Sequence, residues 1–297
     1  MNYVNLTIYK LILLTLLVPL FLPSLVLAHQ PRITDSRITQ VSDPEISKAY
    51  YGELKSEPDV YIIVANNPFN LYVNVLVPDI IGQKKDLSVV VIKDKDTGKP
   101  LAILDGINFE WKKFYEPFGA DTYWMGPEYK ARADAGTYEI KVSSLGNNSS
   151  YSLAIGEKES FDAKEGLNAI TTIPKLKKDF FNESSVGFIA SPFGWGLIVV
   201  MYFLAAIIGL LLKFLMKMFS VQSSPGSIRS TLTGVGRKNI GLKDRFFRLA
   251  IGLVLLLFAI FTTWSPIVIF FSGFAIFEAI FSWCGFYAVL GKNTCPL

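Results

Sequence analysis

"SPFGWGLIVVMYFLAAIIGLLL", Ser191 to Leu212, decides how the rest of the chain is read. No charged residue occurs between Glu183 and Lys213. About twenty apolar residues are needed to cross a hydrocarbon core, so the run predicts a transmembrane helix, bounded at 187–217. Trp195 suits the interfacial belt at one end, and Lys213 and Lys217 follow at the other.

Composition changes sharply across this helix. The whole chain is 51% hydrophobic and 18% charged, with a mean hydropathy of +0.37. Soluble domains carry about 25% charged residues, which points to a membrane protein with a soluble part. From His29 to Glu183 there are 19 Lys/Arg and 23 Asp/Glu, a net of −4. Beyond Glu183 only Asp244 and Glu278 are acidic. The overall net charge of +4 therefore averages unlike parts, and no nucleic-acid partner is expected.

On the N-terminal side, Lys10 precedes the apolar run "LILLTLLVPLFLPSLVLA" (11–28), broken by Pro19 and Pro23. A basic start, an apolar middle and a small residue at Ala28 read as a signal peptide over 1–28, cleaved before His29. The alternative is a retained anchor, because Val26 is larger than the usual alanine of the cleavage site. Either reading places residues 29–186 outside the cell membrane. His29 is the only histidine, and a stable copper site would need more nitrogen ligands. No metal site or other cofactor is expected.

Within the domain bounded at 29–186, the pattern from Asp59 onward has period two and is rich in Val, Ile, Tyr and Phe. Strands are predicted at 59–66, 69–77, 87–94, 99–106, 136–145 and 150–157, separated by turn residues such as Asn66-Asn67-Pro68 and Ala135-Gly136. The predicted fold is an exported all-β sandwich, jelly-roll or Ig-like, followed by three transmembrane helices. No cysteine lies in the sandwich, which excludes thiol catalysis and cysteine-ligated metals there. Asp94 and Asp96 in "DKDTG" alternate as in a calcium loop, but the downstream bidentate Glu is missing, and a hairpin turn accounts for them. No catalytic residue is assigned. Eight aromatics crowd residues 109–129 (Phe109, Trp111, Phe114, Tyr115, Phe118, Tyr123, Trp124 and Tyr129). They are expected to fill the sandwich core; exposed, they would form a docking patch. Glycosylation sequons begin at Asn147, Asn148 and Asn182.

The stretch "AGTYEIKVSSLGNNSSYSLAIGE" (135–157) resembles the last hairpin of bacterial pre-peptidase C-terminal modules. That resemblance implies a sandwich used for binding or as a spacer, without catalytic residues.

After the first span, Lys213 to Arg248 holds eight basic residues against Asp244, a net of +7. The positive-inside rule makes this region cytoplasmic. Its Ser/Gly-rich stretch 220–236 reads as a linker, and the basic linker is bounded at 218–243. "LAIGLVLLLFAIFTT" (249–263) and "IVIFFSGFAIFEAIFSW" (267–283) form two further arms. Trp264-Ser265-Pro266 turns the chain between them, and the first arm extends back to Asp244. The hairpin with its tail is bounded at 244–297. An odd number of spans returns Cys284 and Cys295, the only cysteines, to the cytoplasmic face of the inner membrane.

The segment "KNIGLKDRFFRLAIGLVLLL" (238–257) with the closing "C…Y…LGKNTC" is similar to the YgaP-type inner-membrane hairpin. Asn239, Gly241, Asp244, Arg245, Arg248 and Gly252 match the first half of the family pattern. Cys284, Tyr287, Gly291, Thr294 and Cys295 match the second, with Gly285 where the family has proline. The resemblance implies self-association through the spans; the family's own activity is undefined.

Three functional readings follow. The leading one is a non-enzymatic cell-envelope protein anchored in the bilayer, its sandwich holding an extracytoplasmic ligand or protein, its spans forming a homo-oligomer. The second is a sulfur or thiol relay through Cys284 and Cys295, which otherwise serve as packing residues. The third is transport through an oligomer around Glu278, the one acid inside a span; an ion pair with Arg248 or Arg245 is its structural alternative. Mass spectrometry of the purified chain is expected to find His29 as the mature N-terminus. Retention of 1–28 would select the anchor reading instead.

Overall fold

The computed structural model describes residues 29–96, 99–221 and 238–295. Residues 1–28, predicted as a signal peptide, Thr97-Gly98 and most of the predicted linker, including Arg229 and Arg237, lie outside the described residues. Two compact units separate, one ending at Pro192 and one beginning at Phe193.

The first unit contains β1 (Gln30–Ile33), β2 (Ile38–Val41), β3 (Lys48–Glu53), β4 (Asp59–Ala65), β5 (Phe69–Pro78) and β6 (Ser88–Lys93). It continues with β7 (Ala102–Asp105), β8 (Lys112–Glu116), β9 (Asp121–Ala133), β10 (Gly136–Ser143) and β11 (Ser150–Ile155). They build a six-stranded sheet ordered β1-β3-β11-β5-β9-β8 and a five-stranded sheet ordered β2-β4-β10-β6-β7. Both sheets are mixed. The β1–β3 and β2–β4 edge pairs are parallel, and the other neighbours are antiparallel.

Alternation sets which side chains turn inward. Tyr138, Ile140 and Val142 of β10 join Tyr61 and Ile63 of β4 and Val89 and Val91 of β6. From the other sheet come Leu71, Val73, Val75 and Val77 of β5 with Tyr151, Leu153 and Ile155 of β11. One buried cluster thus draws on both sheets, a sandwich-like arrangement. Tyr61 and Tyr151 are also buried, and each hydroxyl finds the other at 2.9 Å.

The first unit is not all-β. Residues Ala163–Asp179 form a helix, α1, whose N-cap Asp162 accepts from the Glu165 amide. Ala169, Ile173 and Leu176 turn one face inward at helical spacing. Leu176, Phe180 and Phe181 cover Leu76, Tyr123 and Ala154 on the back of the six-stranded sheet. This covering makes β5 apolar on both faces from Asn74 onward, which is why "VNVLVP" loses its alternation. Pro174 inside the helix and the β-branched run Thr171-Thr172-Ile173 hide α1 from propensity. The aromatic stretch proves divided: Trp111, Phe118 and Tyr123 are buried, whereas Phe109, Phe114 and Tyr115 are exposed. β8 and the start of β9 occupy it.

The second unit begins with α2 (Pro192–Val221). After the linker, α3 (Leu242–Phe258) runs into a π-helical stretch at Ala259–Thr263. Trp264 takes a left-handed conformation, and Pro266 opens α4 (Pro266–Phe281). A short α5 (Gly285–Val289) follows. Pro192–Met218 and Leu242–Thr263 are long and apolar enough to cross a membrane; α4 is apolar but shorter, at 16 residues. Two or three helices thus qualify as spans.

Leu153 is fully buried between the sheets. Leu153→Ala is expected to cost about 2–5 kcal/mol through lost contacts and the cavity left behind, measured by denaturant unfolding of the full-length chain.

Candidate functional site

Most of the residues singled out in the C-terminal sequence meet at the base of the α3–α4 hairpin. Asn239 is buried there and uses both ends of its side chain. Its Nδ2 donates to the Cys284 carbonyl at 2.9 Å, and its Oδ1 accepts from the Cys284 amide at 2.8 Å. Its backbone amide donates to the Ser282 carbonyl at 3.0 Å, and its carbonyl accepts from the Thr294 amide at 3.1 Å. One residue thus ties the entry to α3, the exit from α4 and the C-terminal tail together. Burial makes each of these bonds expensive to lose.

Neighbouring residues lock the same junction. A Cβ on Gly241 would lie 2.0 Å from the Thr294 carbonyl oxygen, so only glycine allows the tail this close. The Gly241 amide donates to Thr294 Oγ1 at 3.0 Å, and that hydroxyl donates to Asp244 Oδ2 at 3.0 Å. Asp244 also sits in the first turn of α3, where its charge complements the helix N-terminus. Gly291, with φ of +65°, turns the tail back, and the Lys292 amide closes on the Tyr287 carbonyl at 2.9 Å.

Higher in the hairpin the two arms exchange polar groups. Arg245 Nε donates to the Ala279 carbonyl at 2.7 Å, supplying a donor to one of the carbonyls that a helix end leaves open. Arg248 pairs with Glu278, whose side chain is 6% exposed. The Arg248 guanidinium also lies 5.0 Å from the Tyr287 ring centre, and Lys292 lies 4.8 Å from it. At Gly252 a Cβ would come within 2.6 Å of Ile276 and 3.0 Å of the Ser272 carbonyl oxygen, so glycine sets the spacing of the arms. Ser272 donates to the Gly252 carbonyl at 2.8 Å and meets the Tyr202 hydroxyl of α2 at 2.8 Å.

The two cysteines differ. Cys284 is buried at the start of α5, its thiol beside Glu278 and the Tyr287 amide. Burial, the largest influence, holds that thiol above the ordinary cysteine range. Cys295 is half-buried, its amide bonded to Asn293 Oδ1 at 2.9 Å. Both thiols are free. Gly285 takes the first position of α5, with Cys284 as its cap.

Residues 237–297 match a family model described as "Inner membrane protein YgaP-like, transmembrane domain". The C-terminal segment is thus similar to YgaP-like transmembrane domains. Asn239, Gly241, Asp244, Arg245, Arg248, Gly252 and Thr294 have structural tasks within the hairpin, all at its base or between its arms. For the first unit, the 1.0 Å crystal structure of the pre-peptidase C-terminal domain of collagenase from Bacillus anthracis is similar over 40% of this chain and 92% of that chain. The identity is 14% and the TM-score 0.27. No curated protein matches the chain.

The first unit carries a groove of about 570 Å³. Its floor is made by Tyr51 and Gly52 of β3 and by Asp59; Arg37 and Glu57, paired with each other, stand at its rim, and Leu176 and Phe180 wall one side. The Asp59 carboxylate accepts from the Tyr151 hydroxyl at 2.7 Å, and the relay continues through Tyr61 to Thr34 at 3.3 Å. Burial raises the Asp59 carboxyl above its usual range. No local pattern signals this groove, because its lining comes from four separated stretches. His29 lies apart from the groove lining, with Nδ1 against Ser47 Oγ. Asp94 accepts from the Thr137 amide at 2.9 Å as a turn residue. Among the described residues no cluster of three or more His, Cys, Asp or Glu side chains could hold a metal.

Truncating one member of the Arg248–Glu278 pair leaves the other charge without its partner. Arg248→Met or Glu278→Leu alone is expected to cost about 3–5 kcal/mol, whereas the double substitution recovers most of that loss. Steric-trap or denaturant unfolding in bicelles reads all three variants.

Proposed function

We propose that this chain is a non-enzymatic, membrane-anchored protein of the cell envelope whose sandwich-like unit binds an extracytoplasmic ligand. In this reading 1–28 is an export signal, α2, α3 and α4 are three spans of the inner membrane, and the C-terminus is cytoplasmic. The net +7 between Lys213 and Arg248 supports that orientation. The observation that carries the binding reading is the groove of about 570 Å³. Ligand sites occupy about 300–1,000 Å³ and combine apolar walls with a few fixed polar groups. Leu176 and Phe180 supply an apolar wall above Tyr51, and the Asp59–Tyr151 bond fixes one carboxylate among the polar and charged side chains that make up most of the lining. The YgaP-like domain then acts as anchor and self-association element, as its family resemblance implies.

The thiol relay through Cys284 and Cys295 is weaker on chemical grounds, since burial opposes the thiolate that would attack sulfur. Transport around Glu278 is weaker too, because Arg248 already neutralises that carboxylate.

Thermal unfolding of the full-length chain in nanodiscs, against a panel of envelope polysaccharides and short peptides, tests the reading. A true ligand at about a hundredfold excess over its Kd adds about 2.7 kcal/mol of stability. The shift is expected to vanish in Asp59→Asn and Arg37→Ala. A shift undiminished in both variants would sink the groove as the binding site.

A further inference from the structure

Behind the groove, α1 meets β8 and β9 through a buried ionic cluster that the binding reading does not use. Lys177, only 1% exposed, enters from α1 and donates to Asp121 Oδ1 at 2.5 Å and to the Ala120 carbonyl at 3.2 Å. Glu116, at the end of β8, accepts from the Phe118 and Gly119 amides, both at 2.7 Å. The two carboxylates converge on Gly119: a Cβ there would lie 2.5 Å from Asp121 Oδ2 and 3.2 Å from Glu116 Oε2. Buried Asp121 and half-buried Glu116 thus face one buried lysine.

The remaining titratable neighbours do not cancel the excess acid. Glu183, past the end of α1, stands 4.0 Å from Lys177 and is itself largely exposed. Tyr51 of β3 and Tyr123 of β9 bond to each other at 2.9 Å, and both stay protonated because burial raises them. His29 lines the same small cavity, of about 30 Å³, with Tyr51, Glu116, Asp121 and Leu176. Tyr51 and Leu176 also line the groove, so one wall separates the ionic cluster from the candidate binding site.

We propose that α1 is a proton-set wall of the groove: a proton taken up by the Glu116–Asp121 pair tightens α1 against the six-stranded sheet, and its loss loosens that contact. With one proton bound, the pair carries a single negative charge that Lys177 balances. With none, the pair carries a second negative charge that Lys177 does not balance. Burial, the first cause in both cases, raises Glu116 to about 7 and Asp121 to about 6, against ordinary values of 4.5 and 3.8. Both folded-state values lie above the unfolded ones, so the docked form binds protons that the released form has lost. Docking therefore strengthens as pH falls through about 7 toward the ordinary carboxylate range, and weakens as pH rises through the same window. Its use in ligand control rests on the binding reading above, whereas the movement of α1 does not.

Hydrogen–deuterium exchange of the full-length chain in nanodiscs, without any ligand, reads the movement directly. After correction for intrinsic exchange, amides of 163–181 are expected to be at least about tenfold more protected at about pH 5.5 than at about pH 8. Amides of β10 serve as the reference and are expected to hold constant. Glu116→Gln is expected to shrink the pH response at least about threefold, leaving only the part owed to Asp121. Equal protection of α1 at the two pH values would overturn the proposal, as would a parallel change in β10, which would mark global stability. A wild-type response retained in full by Glu116→Gln would overturn it as well; the wild-type profile decides if that variant does not fold.

Discussion

Polar groups surrounded by hydrocarbon have to find partners within the chain, since no water is there to satisfy them. The C-terminal hairpin is organised by that requirement. The α4 carbonyl of Ala279 is met by Arg245, the Glu278 carboxylate by Arg248, and the Gly252 carbonyl by Ser272. At the base, the Asn239 side chain does for Cys284 what a neighbouring strand would do, pairing with its amide and its carbonyl at once. The glycines at 241 and 252 are needed because these bonds require backbones to lie closer than a Cβ permits.

The first unit meets a different problem, a buried charge. Lys177 crosses from α1 into the layer behind the six-stranded sheet, where the Asp121 carboxylate and the Ala120 carbonyl receive it and the Glu116 charge lies nearby. Apolar contacts of Leu176, Phe180 and Phe181 hold the helix in place around it. Hydrophobic covering and ionic specificity thus act through adjacent residues of one helical turn.

Sequence patterning exposed some of this and concealed the rest for physical reasons. β4, β5, β6, β10 and β11 stood out because each alternates over at least six residues with β-branched or aromatic side chains facing in. β1, β2 and β8 escaped notice, being four or five residues long and rich in Arg, Lys, Thr or Gln. α1 was masked by Pro174, although Ala169, Ile173 and Leu176 already had the right spacing. The base of the hairpin was legible through its motif residues, whose order in the chain survives in their contacts. The Lys177–Asp121 pair was not, since its members lie 56 positions apart and neither belongs to a local pattern.

The span of sequence bridged at the hairpin base also imposes an order of events during synthesis. Asn239 bonds to a residue 45 positions later, and Gly241 to one 53 positions later. Both are made before α3, the turn at Trp264 and α4 exist. The arms therefore form as an open loop, with residues 239–241 still unclasped. Closure waits for Thr294, one of the last residues described, so assembly of this domain is completed from its tail backward rather than from its first helix onward.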